Sequence, residues 1–334
     1  MADATETELA AAIDDDPYDV ENYRVYGDWL EGNGDPRGRL IGMMILLERL
    51  TDRNKREHLM GKLAAYLDEH REAFFPAPYR RVEVTTLVRG HSGNMQWRYG
   101  FAHHVTAPGY EEGVAALGEL LAHPSGRFVV ELGAVLGTET QELAGMLRER
   151  CPRSLRALTL DVHAESDLAP LWPALARIHA LSVEHTGLFP LALGDIRLPE
   201  LRRLALDGQL SPLAPLLAAP LPRLEEVRLA LPDLRIADLR PLFERTDLPL
   251  TALRLHDNPF TDDLCRELPA TPLGARLKLL DLPAGMMTDR GALTLADGLR
   301  ALGRPPLDAI NVPGNRLSRA GLAALRTVAI RVTD

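Results

Sequence analysis

Several groups of chemically active side chains lie close together in this 334-residue chain. His103 and His104 stand side by side, with the carboxylate of Glu131 expected nearby in the fold. Asp161, His163, Glu165 and Asp167 alternate, which places imidazole and carboxylates on one side of an extended segment. Asp14, Asp15 and Asp16 run toward Asp19. The chemistry such groups share is divalent-metal binding. None of them completes a ligand set. The aspartate run lacks the central glycine and terminal glutamate of a calcium loop, so helix capping and a solvated acidic face are its expected roles. The 161–167 alternation falls where a strand should already be turning, with no ligands from a third strand. No metal is expected.

Covalent and phosphate chemistry fare no better. The chain has no Gly-x-Ser-x-Gly, no His-Glu-x-x-His and no cysteine–histidine pairing. Gly32-x-Gly34 and Gly314 lack the Lys-Ser/Thr of a phosphate loop. Cys151 and Cys265, 114 positions apart, fit no metal or redox spacing and read as reduced thiols. The reading is therefore a non-catalytic protein without a cofactor. The first residues show no secretory pattern, and the most apolar run, 40–47, is too short to cross a bilayer. That implies a cytoplasmic protein without a membrane partner. With 38 basic and 47 acidic residues the formal charge is −9, which argues against nucleic acid as the partner.

The elements behind these residues change character along the chain. Residues 1–35 hold eleven acids and a single base, Arg24, whereas 36–80 carry an excess of three bases. The head reads as four helices. Thr5-x-x-Glu8 has the form of a capping box before Leu9–Ile13. Asp16-Pro17 is placed to start a second helix, on which Tyr23, Tyr26 and Leu30 share a core face with Trp29 beside them. After the Gly32-Asn33-Gly34 break, Asp35-Pro36 supplies cap and first helical residue for a third. A fourth spans about 53–73. Met43, Met44 and Met60 read as core filler. The organisation expected is a helical head over 1–80, a transition and capping segment over 81–127, and a leucine-rich body over 128–334.

The body repeats. L-x-x-L-x-L recurs as Leu155/Leu158/Leu160, Ile178/Leu181/Val183, Leu201/Leu204/Leu206, Leu224/Val227/Leu229, Leu250/Leu253/Leu255, Leu277/Leu280/Leu282 and Leu307/Ile310/Val312. The intervals are 23, 23, 23, 26, 27 and 30 residues, with weaker copies at Val129/Leu132/Ala134 and Ala102/Val105/Ala107. Residues two apart on a strand face the same way, so each trio buries its second and third members. Stacking such units into a parallel sheet buries the rows together. The last units add Thr261, Thr288 and Ser318, hydroxyls that can cap the helices following them. Val328-x-Ile330-x-Val332 offers a final short strand.

These units resemble leucine-rich repeats, the C-terminal ones similar to the ribonuclease-inhibitor subtype. The resemblance implies an α+β fold: a curved parallel-sheet solenoid, helical or irregular on its convex side, with an N-terminal helical head. The shorter, Pro-rich early units should be less helical. Tyr26-Gly27-Asp28-Trp29-Leu30-Glu31 with Gly34-Asp35-Pro36-Arg37 resembles the repeat-companion domain found ahead of repeat arrays in bacterial proteins, Gly27 standing where that family usually has alanine. Trp97-Arg98-Tyr99-Gly100-Phe101 is similar to its W-x-x-G-F segment. That family implies no chemistry.

Register then fixes which residues face away from the core. Thr159, Ser182, Ala205, Arg228, Arg254, Asp281 and Asn311 form a central row on the concave face. Asp161, Glu184, Asp207, Ala230 and His256 flank it on one side, Arg203 and Glu226 on the other. Neighbouring strands lie about 4.8 Å apart, so Arg228 and Arg254 should be adjacent like charges, answered by Glu226 or Asp207. The function expected is a protein–protein interaction module or scaffold. Its partner-binding residues are Arg203, Glu226, Arg228, Arg254 and His256, with Asp161, Glu184, Asp207 and Asp281 around them. Two alternatives stand beside it. One is regulation or inhibition of an enzyme such as a GTPase or nuclease by surface occlusion. The other is recruitment by the acidic head, with the repeats as spacer.

Overall fold

A computed structural model describes residues 2–88, 95–107, 110–187, 191–210 and 213–334. The architecture is mixed α/β, with an N-terminal helical region and a mostly parallel sheet. The chain forms two compact units, Met1–Leu160 and Asp161–Asp334. No described helix is long and apolar enough to cross a membrane.

The first unit opens with α1 (Ala2–Asp15), α2 (Val20–Gly32), α3 (Pro36–Arg49) and α4 (Arg53–Glu69). α1 begins ahead of the Thr5 capping box, because nothing in Ala2-Asp3-Ala4 breaks a helix and an early acid favours its N-terminus. The start of α2 also differs from the sequence reading. Asp19, not Asp16, is its cap, accepting from the Glu21 N–H. α3 starts as expected, with Asp35 as cap and Pro36 in the first turn. α2 and α3 cross at Gly38, where a Cβ would lie 2.3 Å from the Glu31 backbone nitrogen. Arg37 beside it is only 5% exposed. It binds both Asp35 carboxylate oxygens, the Ala73 carbonyl at 2.5 Å and the Ser125 hydroxyl at 3.1 Å. The Gly-Asp-Pro-Arg stretch is thus a structural joint.

β1 (Met95–Arg98) and β2 (Phe101–Ala107) form an antiparallel hairpin within the 81–127 segment; β2 carries the weaker trio Ala102/Val105/Ala107, whereas β1 has no counterpart in the repeat pattern. Tyr99 and Gly100 turn the hairpin with φ of 48° and 81°. Positive φ at both central residues is the geometry whose twist matches a hairpin. Tyr99 also buries its ring 4.9 Å from that of Tyr23. Phe101 and Phe128, 4.7 Å apart, complete an aromatic core with Tyr23 and Tyr26. β3 (Glu131–Leu136) pairs in parallel with β2, matching Val105 to Leu132 and Ala107 to Ala134. The weaker copies of the trio are therefore strands too. β4 (Ala157–Val162) leads out of this unit.

The second unit stacks β5 (Ala180–His185), β6 (Arg203–Gly208), β7 (Glu226–Ala230), β8 (Ala252–Leu255), β9 (Leu279–Asp281), β10 (Leu307–Asn311) and β11 (Ala329–Thr333), all parallel and in chain order. Leu181, Leu204, Val227, Leu253, Leu280 and Ile310 are each no more than 2% exposed. Return segments follow unit length: a 3-10 turn at Ala169–Ala174 and a short helix at Ala214–Ala218, then fuller helices such as Asp289–Ala301.

The hydroxyl caps need correction. Ser318 alone caps its helix, accepting from the Ala320 N–H at 3.1 Å. Thr261 instead lies inside the helix Thr261–Glu267, its hydroxyl turned to Asn258. The Thr288 hydroxyl donates to Asp262 of the preceding return helix, and that of Ser318 to Asp289. Each aspartate also accepts the backbone N–H of the same residue, at 2.9 Å. Carboxylate oxygens consequently occupy the space a Cβ would need at Gly291, 2.0 Å away, and at Gly321, 2.3 Å away.

Two outcomes follow from these contacts. Gly291→Ala should lose about 1–3 kcal/mol in urea unfolding through displacement of Asp262, whereas Gly61→Ala, with open space around it, should not destabilise. The second concerns His103, whose Nε2 is buried without a partner and whose pKa burial lowers to about 4. The unfolded chain takes up that proton near pH 6.5 and the folded chain does not. This contribution is complete above pH 6.5 and lost between 6.5 and 4, so acidification to pH 4.5 should cost about 2 kcal/mol. Unfolding series at pH 7 and 4.5 should show that loss shrinking in His103→Gln.

Candidate functional site

The outward positions of the second unit form the charged rows expected. Register pairs Ala205 with Arg228, Arg228 with Arg254, Arg254 with Asp281 and Asp281 with Asn311. On one flank Glu184 pairs with Asp207, and on the other Arg203 pairs with Glu226. His256 follows β8, its N–H donating to the Leu229 carbonyl. These residues are half-buried to exposed, and their strand neighbours are in the core. The alternation arises because a strand cannot bury both faces of a polar–apolar pattern.

Within the rows the charges are not equivalent. The Arg254 guanidinium bridges its neighbours, donating to Glu226 Oε1 at 2.5 Å and Asp281 Oδ2 at 2.8 Å. All three side chains are less than a third exposed. Burial alone would lower the pKa of Arg254, but the two carboxylate bonds outweigh it and raise it. Arg228 is looser, reaching Asp207 only at 4.0 Å. Arg203 and Glu184 have no ion-pair or hydrogen-bonded side-chain partner among the described residues. His256 keeps a buried, unpartnered Nε2, and burial, then the charge of Arg228, lowers its pKa, so it is neutral at pH 7.

Asp161, near the end of β4, has a partner of its own. It pairs with His163 at 3.2 Å, and His163 Nδ1 hydrogen-bonds the Thr186 hydroxyl at 2.8 Å. A carboxylate–imidazole–hydroxyl order can activate a hydroxyl where solvent is excluded, but the Asp161 and His163 side chains here are 36% and 37% exposed. Its effect is to tie together the segments after β4 and β5. In the first unit, His104 and Glu131 do meet, at 2.9 Å. Among the described residues no group of three or more His, Cys, Asp or Glu is placed to hold a metal. Burial raises the pKa of the Cys151 thiol to about 11 and raises that of Cys265 further, so neither is a thiolate at neutral pH.

No family model matches the chain, and no curated protein is detectably similar to it. A solved structure it resembles is a Bacteroides fragilis protein determined as a Northeast Structural Genomics Consortium target. The TM-score is 0.54 at 20% identity, over 66% of this chain and 69% of that one. The likeness is one of fold.

Sequence reasoning missed a cleft of about 960 Å3 in the first unit, lined by Trp29, Arg127, Arg150 and Arg153 among others. Spacing put Trp29 in the helix core with Tyr23 and Tyr26. The two tyrosines are buried, whereas Trp29 is half-buried and stacks on Tyr26 with 5° between the ring planes. Nothing in the spacing of Arg150 and Arg153 could have joined them to a tryptophan more than a hundred residues earlier.

The pairing geometry separates two arginines that look alike in sequence. Arg254→Ala strands Glu226 and Asp281 together and should cost about 1–3 kcal/mol in urea unfolding. Arg228→Ala should stay within about 0.5 kcal/mol of the parent.

Proposed function

We propose that the chain is a non-catalytic, cytoplasmic interaction protein: a leucine-rich-repeat array behind a bacterial repeat-companion head, which binds another protein through the exposed sheet face of the second unit. The observation that carries this reading is the uneven commitment of charge there. Arg254, Glu226 and Asp281 satisfy one another, whereas Arg203, Glu184 and the loosely held Arg228 remain open to a partner. The one-strand-per-repeat register and the aliphatic trios support the repeat assignment. Complementary charge at such a rim sets partner choice and encounter rate more than affinity.

The experiment is crosslinking and affinity capture from the native cell with the parent chain and with Arg203→Glu/Arg228→Glu, both checked for equal melting temperature. The double variant should reduce capture of the specific partner by about tenfold. Equal capture by the two proteins would refute the assignment. Arg254 is unsuitable for reversal, since two carboxylates would then face a third.

A further inference from the structure

The cleft of the first unit has a wall chemistry that charge counting would invert. Residues 1–35 carry a large acidic excess, which points to a basic ligand. Two of the three carboxylates that line the cleft are, however, already engaged. Glu6 pairs with Arg127 at 2.6 Å, and Asp35 pairs with Arg37 at 3.0 Å. The free charge comes from two arginines of the same lining. Arg150 makes one long bond, 3.5 Å, to the Gly118 carbonyl, and the Arg153 side chain has no partner among the described residues. Both arginines are exposed, three residues apart, at and just after the end of the helix Thr140–Arg150.

A further feature points to a ligand. Trp29 presents a half-buried indole, backed by the Tyr26 ring at 6.0 Å, as a flat apolar platform. Guanidinium forks and an aromatic face together take a ligand that joins carboxylates to an apolar side chain. Asp14 in the same lining opposes a ligand charged all along its length, such as a nucleic-acid strand. A volume near the top of the small-molecule range suits an extended segment.

We infer that this cleft binds a short acidic peptide segment of a partner protein, its carboxylates on Arg150 and Arg153 and its apolar side chain on Trp29. The site lies in the first unit, so this inference stands or falls separately from the sheet-face reading.

The test is fluorescence anisotropy of the full chain with a fluorescein-labelled peptide, Ala-Asp-Phe-Glu-Leu-Ala-amide. The same peptide with both acids replaced by lysine and a labelled thymidine decanucleotide serve as comparisons. The acidic peptide should bind, weakly in high salt. Arg150→Glu/Arg153→Glu and, separately, Trp29→Ala should each weaken it by about tenfold. The charge-reversed chain should melt as the parent does, because both arginines are exposed; Arg150→Gln/Arg153→Gln, which adds no repulsion, should show the same loss in smaller measure. No binding up to millimolar peptide, equal binding of the lysine peptide, preference for the oligonucleotide, or indifference to the arginine variants would overturn the inference.

Discussion

Burial of aliphatic rows by period-two alternation is the constraint on which the second unit rests. Each strand offers only two or three inward side chains, too few to bury alone. Leu204, Val227, Leu253 and Leu280 exclude water only because their strands lie in register. The same register brings every outward side chain within reach of its counterparts on neighbouring strands. The polar face is thus a product of the core: shifting one strand by a residue would expose its leucines and bury its charges.

Contacts between return segments reinforce that register at the other end of each unit. Asp262 and Asp289 each accept from a backbone N–H and a hydroxyl one unit later. A glycine then follows where the carboxylate lies against the next helix. The Thr/Ser-x-x-Gly pattern therefore records a contact between successive return segments of the second unit, and only at Ser318 does its hydroxyl also cap a helix. In the first unit, Gly38 allows two helices to cross and Arg37 cross-links three segments through hydrogen bonds. Conspicuous motif residues there hold structure in place.

Charge shows how far pairing departs from counting. Arg228 and Arg254 are equivalent in sequence pattern, yet one is held between two carboxylates and the other reaches a single acid at 4.0 Å. In the first unit Glu6 and Asp35 are likewise engaged by arginines, while Arg150 and Arg153 are left open at the cleft. What a surface can offer a partner depends on the charges left after internal pairs form, since a satisfied pair must be broken before it binds anything else.

The sequence by itself determined the strands of the second unit, their inward residues and the outward rows from Arg203 to Asp281. It also determined the start of α3 and the final strand. All of these follow from local periodicity or from a residue's own backbone preferences. Tertiary structure alone decided the Tyr99-Gly100 hairpin, the partners of Thr261 and Thr288, the bridging of Arg254 and the cleft at Trp29. Each depends on atoms far apart in the chain: Glu226 and Asp281 reach Arg254 from strands on either side, and Arg153 shares a cleft with Trp29 across most of the first unit. Periodicity reports which way a side chain points, and only packing reports what it meets.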